Sequence, residues 1–329
     1  MFICILSSPP DENDIPYDPS GFLKDFRWEH YILRPHNLED QLRNLSKRGF
    51  DVFINLCDGT PDDGLPGVGL VQMLEQLGVA FTGADSSFFD PTRVEMKQAA
   101  ARAEIPVPGS AFARNQAEVQ KAAETLRFPL IVKPPQGYAS VGLKRESRVT
   151  SPETLQEQAA RTIQGFSSTL IEEFIDGREF TVLIVENPDD IQNPRTFKPV
   201  EFIFPPGESF KHYDLKWKEY RGLQAIPVGD TAIEKRLRYY TKRLFLAMNG
   251  NGYARCDYRM NSTGKIVMLE INPNCGIFYP LSDPGSADFV LLNDPFGHSG
   301  FLNLIIHLAM KRRERAILMQ TTNEFANKI

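Results

Sequence analysis

The sequence predicts an α/β (α+β) protein, with a parallel αβ lobe first and two mixed αβ lobes after it. Three observations predict it. Strand, helix and strand patterns follow one another between residues 50 and 84, the order of a parallel αβ unit. Short apolar strand patterns alternate with amphipathic helical ones through the middle of the chain. A hairpin pattern with a polar turn, Asn261–Gly264, precedes a long final helix. The 329 residues are enough for two or three lobes that share large cores.

FICIL (2–6) is a short apolar, β-rich run and reads as a buried strand. The polar, proline-rich stretch from Pro9 to Pro19 reads as a loop. FDVFINLCDG (50–59) is a second apolar strand ending in a turn at Gly59. Val68, Val71, Met73, Leu74 and Leu77 have helical spacing, and this helix stops at Gly78. VAFTGA (79–84) is the next strand, and the first lobe is expected to span 1–93.

A helix from Pro91 to Ala103 opens the second lobe, 94–176. EIPVPGSAF (104–112) leads into a strand, and a helix at 115–126 precedes the strand FPLIVKP (128–134). A small-residue turn, QGYASVG (136–142), leads to a strand near Val149. Ser151 is placed to cap the helix 151–163, and LIEEF (170–174) is a strand. The third lobe, 177–329, begins with REFTVLIVE (178–186). It continues with strands near 199–204, a helix at 231–248, a hairpin at 252–272 and a helix at 299–315. The basic run KRRER (311–315) reads as a solvated helix face.

Composition excludes several functions. Hydrophobic residues make up 42% and charged residues 24%, as in soluble globular proteins. With a net charge of −5 there is no basic excess to hold a nucleic-acid backbone. No apolar run approaches the roughly 20 residues that a membrane helix needs. Cys4, Cys57, Cys256 and Cys275 form no CxxC pair and read as small buried residues, which fits a reducing cytoplasm.

The strongest chemistry lies in GYARCDYRMNSTGKIVMLEINPNCG (252–276). Residues two apart on a strand share a face. Arg255 and Asp257 therefore point together, as do Glu270 and Asn272, while Ala254, Cys256, Tyr258, Leu269 and Ile271 face a core. Two carboxylates and an amide suit Mg²⁺, which takes hard oxygen ligands. A structural ion pair between Arg255 and an acid is the other reading.

Lys133 ends an apolar strand, where a phosphate would partner it, although a lysine can also snorkel outward. QGYASVG can present backbone N–H groups to phosphates, but it lacks the P-loop spacing, and no GxGxxG is present. LIEEFIDGREFTV (170–182) runs strand, glycine turn, strand, a form that can receive an adenine on its backbone. Glu179 is the better ribose candidate there, or else a surface acid. FKHYDLKWKEY (210–220) mixes lysines and aromatics without a clear period, as a closing loop or a solvated one would.

In this order the elements resemble the ATP-grasp superfamily and, within it, the D-alanine–D-alanine ligases. The likeness runs from Asp51 to Gly276. GVAFTGAD, Lys97 with EIPVP, LIVKP with YASVG, LIEEF with REFTV, and RCD with LEINPN fall where that family places its motifs. The resemblance implies two lobes that sandwich ATP. Lys97 and Lys133 would bind phosphates, and Ser140 would cover them. Glu172, Glu173, Phe174 and Ile175 would line the adenine pocket, and Glu179 would hold the ribose. Lys218 would close the site. Asp257, Glu270 and Asn272 would bind two magnesium ions, or manganese. Arg255 and the Gly276 N–H would stabilise an oxyanion.

The implied reaction joins a carboxylate to an amine through an acyl phosphate, on small-molecule substrates such as amino acids. Homologous folds often form dimers, but no dimer surface is legible here. The substrate walls depart from the family. Its N-terminal acid motif is replaced by ILSSPPDENDIP, and its HG pair by Cys57 and Asp58. Glu219 follows Lys218, with Tyr220 one place late, and Ser282 is the candidate for the serine of its second-substrate pair. FYPLSDPGSADFV (278–290) would line the acceptor site or pack the last helix. A substrate other than D-alanyl-D-alanine's precursors follows. A tailoring ligase with a non-amino-acid substrate, and a non-catalytic nucleotide binder, are the alternatives.

Overall fold

The computed structural model describes residues 1–9, 15–57, 59, 64–136, 142–217 and 222–326. Its first sheet holds β1 (Phe2–Ser7), β2 (Arg27–Ile32) and β3 (Val52–Leu56), all parallel, in the order β2-β1-β3. β2 and the helix α1 (Leu38–Ser46) were missed: RWEHYI is a polar edge strand with little apolar patterning, whereas α1 carried a helical signal in the spacing of Leu38, Leu42 and Leu45. The expected strand at 79–84 is reduced to one parallel bridge, Phe53 to Phe81.

A parallel sheet needs both faces covered. Cys4, Leu6 and Phe53 face α1 and α2 (Gly67–Gln76), packing with Leu42, Leu70 and Leu74. The opposite face, Ile3, Ile5, Val52 and Ile54, packs against Phe301, Leu302 and Ile305 of the last helix. The last helix thus covers the second face of the first sheet.

After α3 (Arg93–Arg102), capped by Thr92, a second sheet forms from β4 (Ser110–Ala113), β5 (Leu130–Lys133), β6 (Arg148–Val149) and β7 (Thr169–Glu173). Its order is β4-β7-β5-β6 and all its pairs are antiparallel. One face packs on α4 (Gln116–Thr125) and α5 (Pro152–Phe166) through Leu130, Val132 and Ile171. Strand alternation turns Ile131, Lys133 and Glu172 to the other face.

The third sheet is antiparallel: β8 (Arg178–Val185), β9 (Arg195–Thr196), β10 (Val200–Ile203), β11 (Gln224–Pro227), β12 (Tyr253–Met260) and β13 (Ile266–Pro273). A short helix, α6 (Tyr213–Trp217), lies inside the stretch expected to be a loop. α7 (Thr231–Ala247), capped by Asp230, covers one face, and α8 (Ser286–Leu292) leads into α9 (Gly297–Ala326). No helix among the described residues is long and apolar enough to cross a membrane.

The basic run at 311–315 is a solvated face only in part: Arg313 and Glu314 are exposed, whereas Arg312 turns into the fold. Arg312 donates to Phe81 O at 2.7 Å and to Gly83 O at 2.8 Å, and Arg313 to Gly78 O at 3.0 Å. Within 79–84, where the strand is missing, the Phe81 and Gly83 carbonyls are thus satisfied by the Arg312 guanidinium.

Candidate active site

The cleft lies between the open face of the second sheet and the third sheet. Ile131, Lys133, Phe174 and Ile175 line one side, and Arg255 and Asp257 the other. Lys133 stands on β5 and Lys97 on α3, and both reach the same buried carboxylate. Lys97 Nζ is 2.5 Å from Glu172 Oε1, and Lys133 Nζ is 2.7 Å from Glu172 Oε2. Burial by itself would raise the Glu172 pKa, but the two ammonium groups outweigh it and hold it at about 2.

The other expected adenine residues stand on the same cleft. Phe174 and Ile175 line the cleft, as does Glu173, which also receives Arg127 Nε at 3.1 Å at the rim. Glu179 is buried on β8, its carboxylate 3.2 Å from both Lys211 Nζ and Arg259 Nε.

On β12, alternation puts Arg255, Asp257 and Arg259 on the cleft side, while Ala254, Cys256 and Tyr258 enter the core against α7. Arg255 Nη2 donates to Asp257 Oδ2 at 2.9 Å and Thr181 Oγ1 to Asp257 Oδ1 at 2.6 Å. Burial would raise the Asp257 pKa, yet Arg255 first and Lys211 second bring it down to about 2. Burial would lower the Arg255 pKa, but Asp257 pushes it up.

The β12–β13 register shifts between Asp257 and Tyr258, so that Asp257 faces Glu270 and Tyr258 faces Met268. Leu269 is the extra residue. It lines the cleft rather than the core expected for it, and Met268 takes the core position. A bulge re-aims side chains in this way.

The shift brings Asp257, Glu270 and Asn272 together. Asn272 Nδ2 donates to Glu270 Oε1 at 3.1 Å and lies 3.4 Å from Asp257 Oδ2. Arg93 Nη1 is 3.4 Å from Glu270 Oε2. Among the described residues no three His, Cys, Asp or Glu side chains form a metal-sized group. The set is two carboxylates and an amide, all able to present oxygen, and it fits Mg²⁺.

Gly276 lies between two tyrosines from distant parts of the chain. A Cβ there would be 2.8 Å from both Tyr17 Oη and Tyr279 Oη, and the two rings are 4.7 Å apart. The 278–290 segment is anchored by the buried Asp288, which accepts from Phe278 N, Gly285 N and His298 Nε2 at 2.8, 3.0 and 2.9 Å. Within it Ser282 is exposed on a turn, whereas Ser286 lines the cleft. Cys57 is buried, its backbone held by Asn55 and Asn274. Asp58, Ser140, Lys218 and Tyr220 lie outside the described residues.

Sequence reasoning missed Thr181, Lys211, Arg259 and Arg93. The alternation R-x-D-x-R was a signal for Arg259. Lys211 lies in the stretch 210–220 read as a closing or solvated loop, but without a period nothing there distinguished it from the other lysines.

Residues 103–282 match the family described as D-ala D-ala ligase C-terminus. The D-alanine–D-alanine ligase of Pseudomonas fluorescens (strain Pf0-1) is 30% identical over 240 residues, 71% of this chain and 68% of that one. The enzyme of the same name from Ectopseudomonas mendocina (strain ymp) is 29% identical over 238 residues, 71% of each chain. The fold is similar to that of VanG D-Ala:D-Ser ligase from Enterococcus faecalis, with a TM-score of 0.71 at 17% identity over 94% of this chain and 99% of that one. It is also similar to the D-alanine–D-alanine ligase from Coxiella burnetii, with a TM-score of 0.70 at 15% identity over 100% and 99%.

Proposed function

The chain belongs to the D-alanine–D-alanine ligase family and is an ATP-grasp ligase that forms carbon–nitrogen bonds, and from that membership we propose that it joins two small molecules other than a pair of D-alanines, a dipeptide or amino-acid amide being the product. One observation carries the reading. Lys133, Asp257, Glu270 and Arg255 line one cleft, and Lys97 reaches its edge through Glu172, while the surroundings of Gly276 are Tyr17 and Tyr279.

In this reading a carboxylate oxygen of the first substrate attacks the γ-phosphorus of ATP, giving an acyl phosphate and ADP. The amine of the second then attacks the acyl carbon, expels phosphate and loses a proton. Lys97 and Lys133 hold phosphate oxygens, and Phe174 and Ile175 receive the adenine. Arg255 and the Gly276 N–H face the charge that develops on the acyl oxygen. Asp257, Glu270 and Asn272 would hold Mg²⁺, which neutralises phosphate charge when bound. Lys218 and Ser140 are assigned to closing and covering the phosphates, and the lobes are assigned to 1–93, 94–176 and 177–329.

The test is phosphate release from ATP and Mg²⁺ over a panel of D- and L-amino acids, singly and in pairs, with mass spectrometry of the products. Release that needs a particular pair and yields a new amide mass supports the reading. D-alanyl-D-alanine formed at a useful rate would overturn the changed specificity.

A further inference from the structure

Glu179 carries two cations where one is enough. Arg259 is fixed by several contacts. Its guanidinium donates to Ile175 O at 2.8 Å and to Ser209 O, and lies 4.8 Å from the Phe174 ring centre. Its Nε is 3.2 Å from one oxygen of Glu179. It therefore ties the acid on β8 to the backbone that the adenine would meet.

Lys211 holds the other oxygen of Glu179 at 3.2 Å from the connection between β10 and α6. Its ammonium rests 3.4 Å from the centre of the Phe202 ring, and its side chain is 12% exposed. It lines the same cleft as Lys133 and Asp257. A lysine is a compact charge on a flexible stem, able to exchange one anion for another by small rotations, unlike the forked and stacked Arg259.

We propose that Lys211 is a further phosphate-binding lysine of this chain, beside Lys97, Lys133 and the closing Lys218: its ammonium takes a phosphate oxygen of a bound nucleoside di- or triphosphate, while Arg259 alone keeps Glu179 in place for the ribose hydroxyls. Lys97, Lys133 and Lys211 then surround the polyphosphate from three separate elements. The proposal rests on the reading of this cleft as the nucleotide site.

Calorimetric binding of adenosine, ADP and a non-hydrolysable ATP analogue, each with Mg²⁺, tests it without turnover. The proteins compared are the wild type, Lys211→Met and Lys211→Arg. Lys211→Met is expected to weaken the ATP analogue about tenfold or more, the scale of one charged hydrogen bond, and to leave adenosine within about twofold. Lys211→Arg should recover most of the loss. Unchanged binding of the analogue to Lys211→Met would overturn the proposal. An equal loss for adenosine and the analogue would also overturn it, because Lys211 would then act only through Glu179. A wild-type protein that binds none of the three would remove the nucleotide reading itself.

Discussion

Thr181 Oγ1 donates to Asp257 Oδ1 at 2.6 Å across the β8–β12 pair. The hydroxyl orients a carboxylate assigned to magnesium, and outer partners of this kind set metal affinity. Thr181→Val keeps the shape and removes the donor. The Mg²⁺ concentration for half-maximal phosphate release should rise about tenfold, with little change in the rate at saturating metal.

Arg255 is assigned to charge that appears only during reaction. Arg255→Ala should lower kcat about 100- to 1000-fold. Calorimetry should show the ATP analogue still bound. Loss of binding in step with kcat would instead make Arg255 a ground-state contact.

Glu172 titrates far below an ordinary glutamate, at about 2 against 4.5. Its contribution to stability is complete above pH ~4.5 and is lost as the pH falls towards 2. Its size is on the order of 3 kcal/mol. Glu172→Gln leaves Lys97 and Lys133 facing each other without their anion. Urea unfolding between pH 7 and 2.5 should show a less stable variant at neutral pH and a shallower acid decline than in the wild type.

Arg312 ties α9 to the segment that follows α2, since its carbonyl partners are Phe81 and Gly83. Arg312→Met keeps the stem but leaves those carbonyls without their donor. Denaturant unfolding should report a loss of about 2–3 kcal/mol.

Gly252 has φ +60, and a Cβ there would run into the backbone of Gly83. Gly264 has φ +80 with nothing within 4 Å. Gly264→Ala should cost about 1–2 kcal/mol, the strain of a left-handed residue. Gly252→Ala should cost about 4 kcal/mol or more, because backbone must move as well. Thermal unfolding of the two variants side by side gives the comparison.

Much of the site was legible because a strand is a rule of two. The pattern around Arg255 and Asp257 named the cleft face of β12, and the same rule, carried two residues further, reaches Arg259. It failed at Leu269, where the bulge between Asp257 and Tyr258 breaks the alternation on the partner strand. A bulge is a property of the pairing of two strands, so neither strand shows it alone. Lys211 was hidden for a different reason. It lies in an irregular connection, where no period relates a residue to a face.

The sequence by itself determined the elements whose apolar periods are strong: β1, β3, α5, α7 and the hairpin of β12 and β13, and with them the acids and the arginine of the cleft. Local spacing is enough for these because each face is written within a few residues. The tertiary structure alone decided which distant groups meet. It set Glu172 between Lys97 and Lys133, laid α9 on the open face of β1 and β3, and sent Arg312 to carbonyls more than two hundred residues away. Burial creates those pairings. A charge or a carbonyl removed from water must find a partner, and the partner is chosen by the packing of layers rather than by neighbours along the chain.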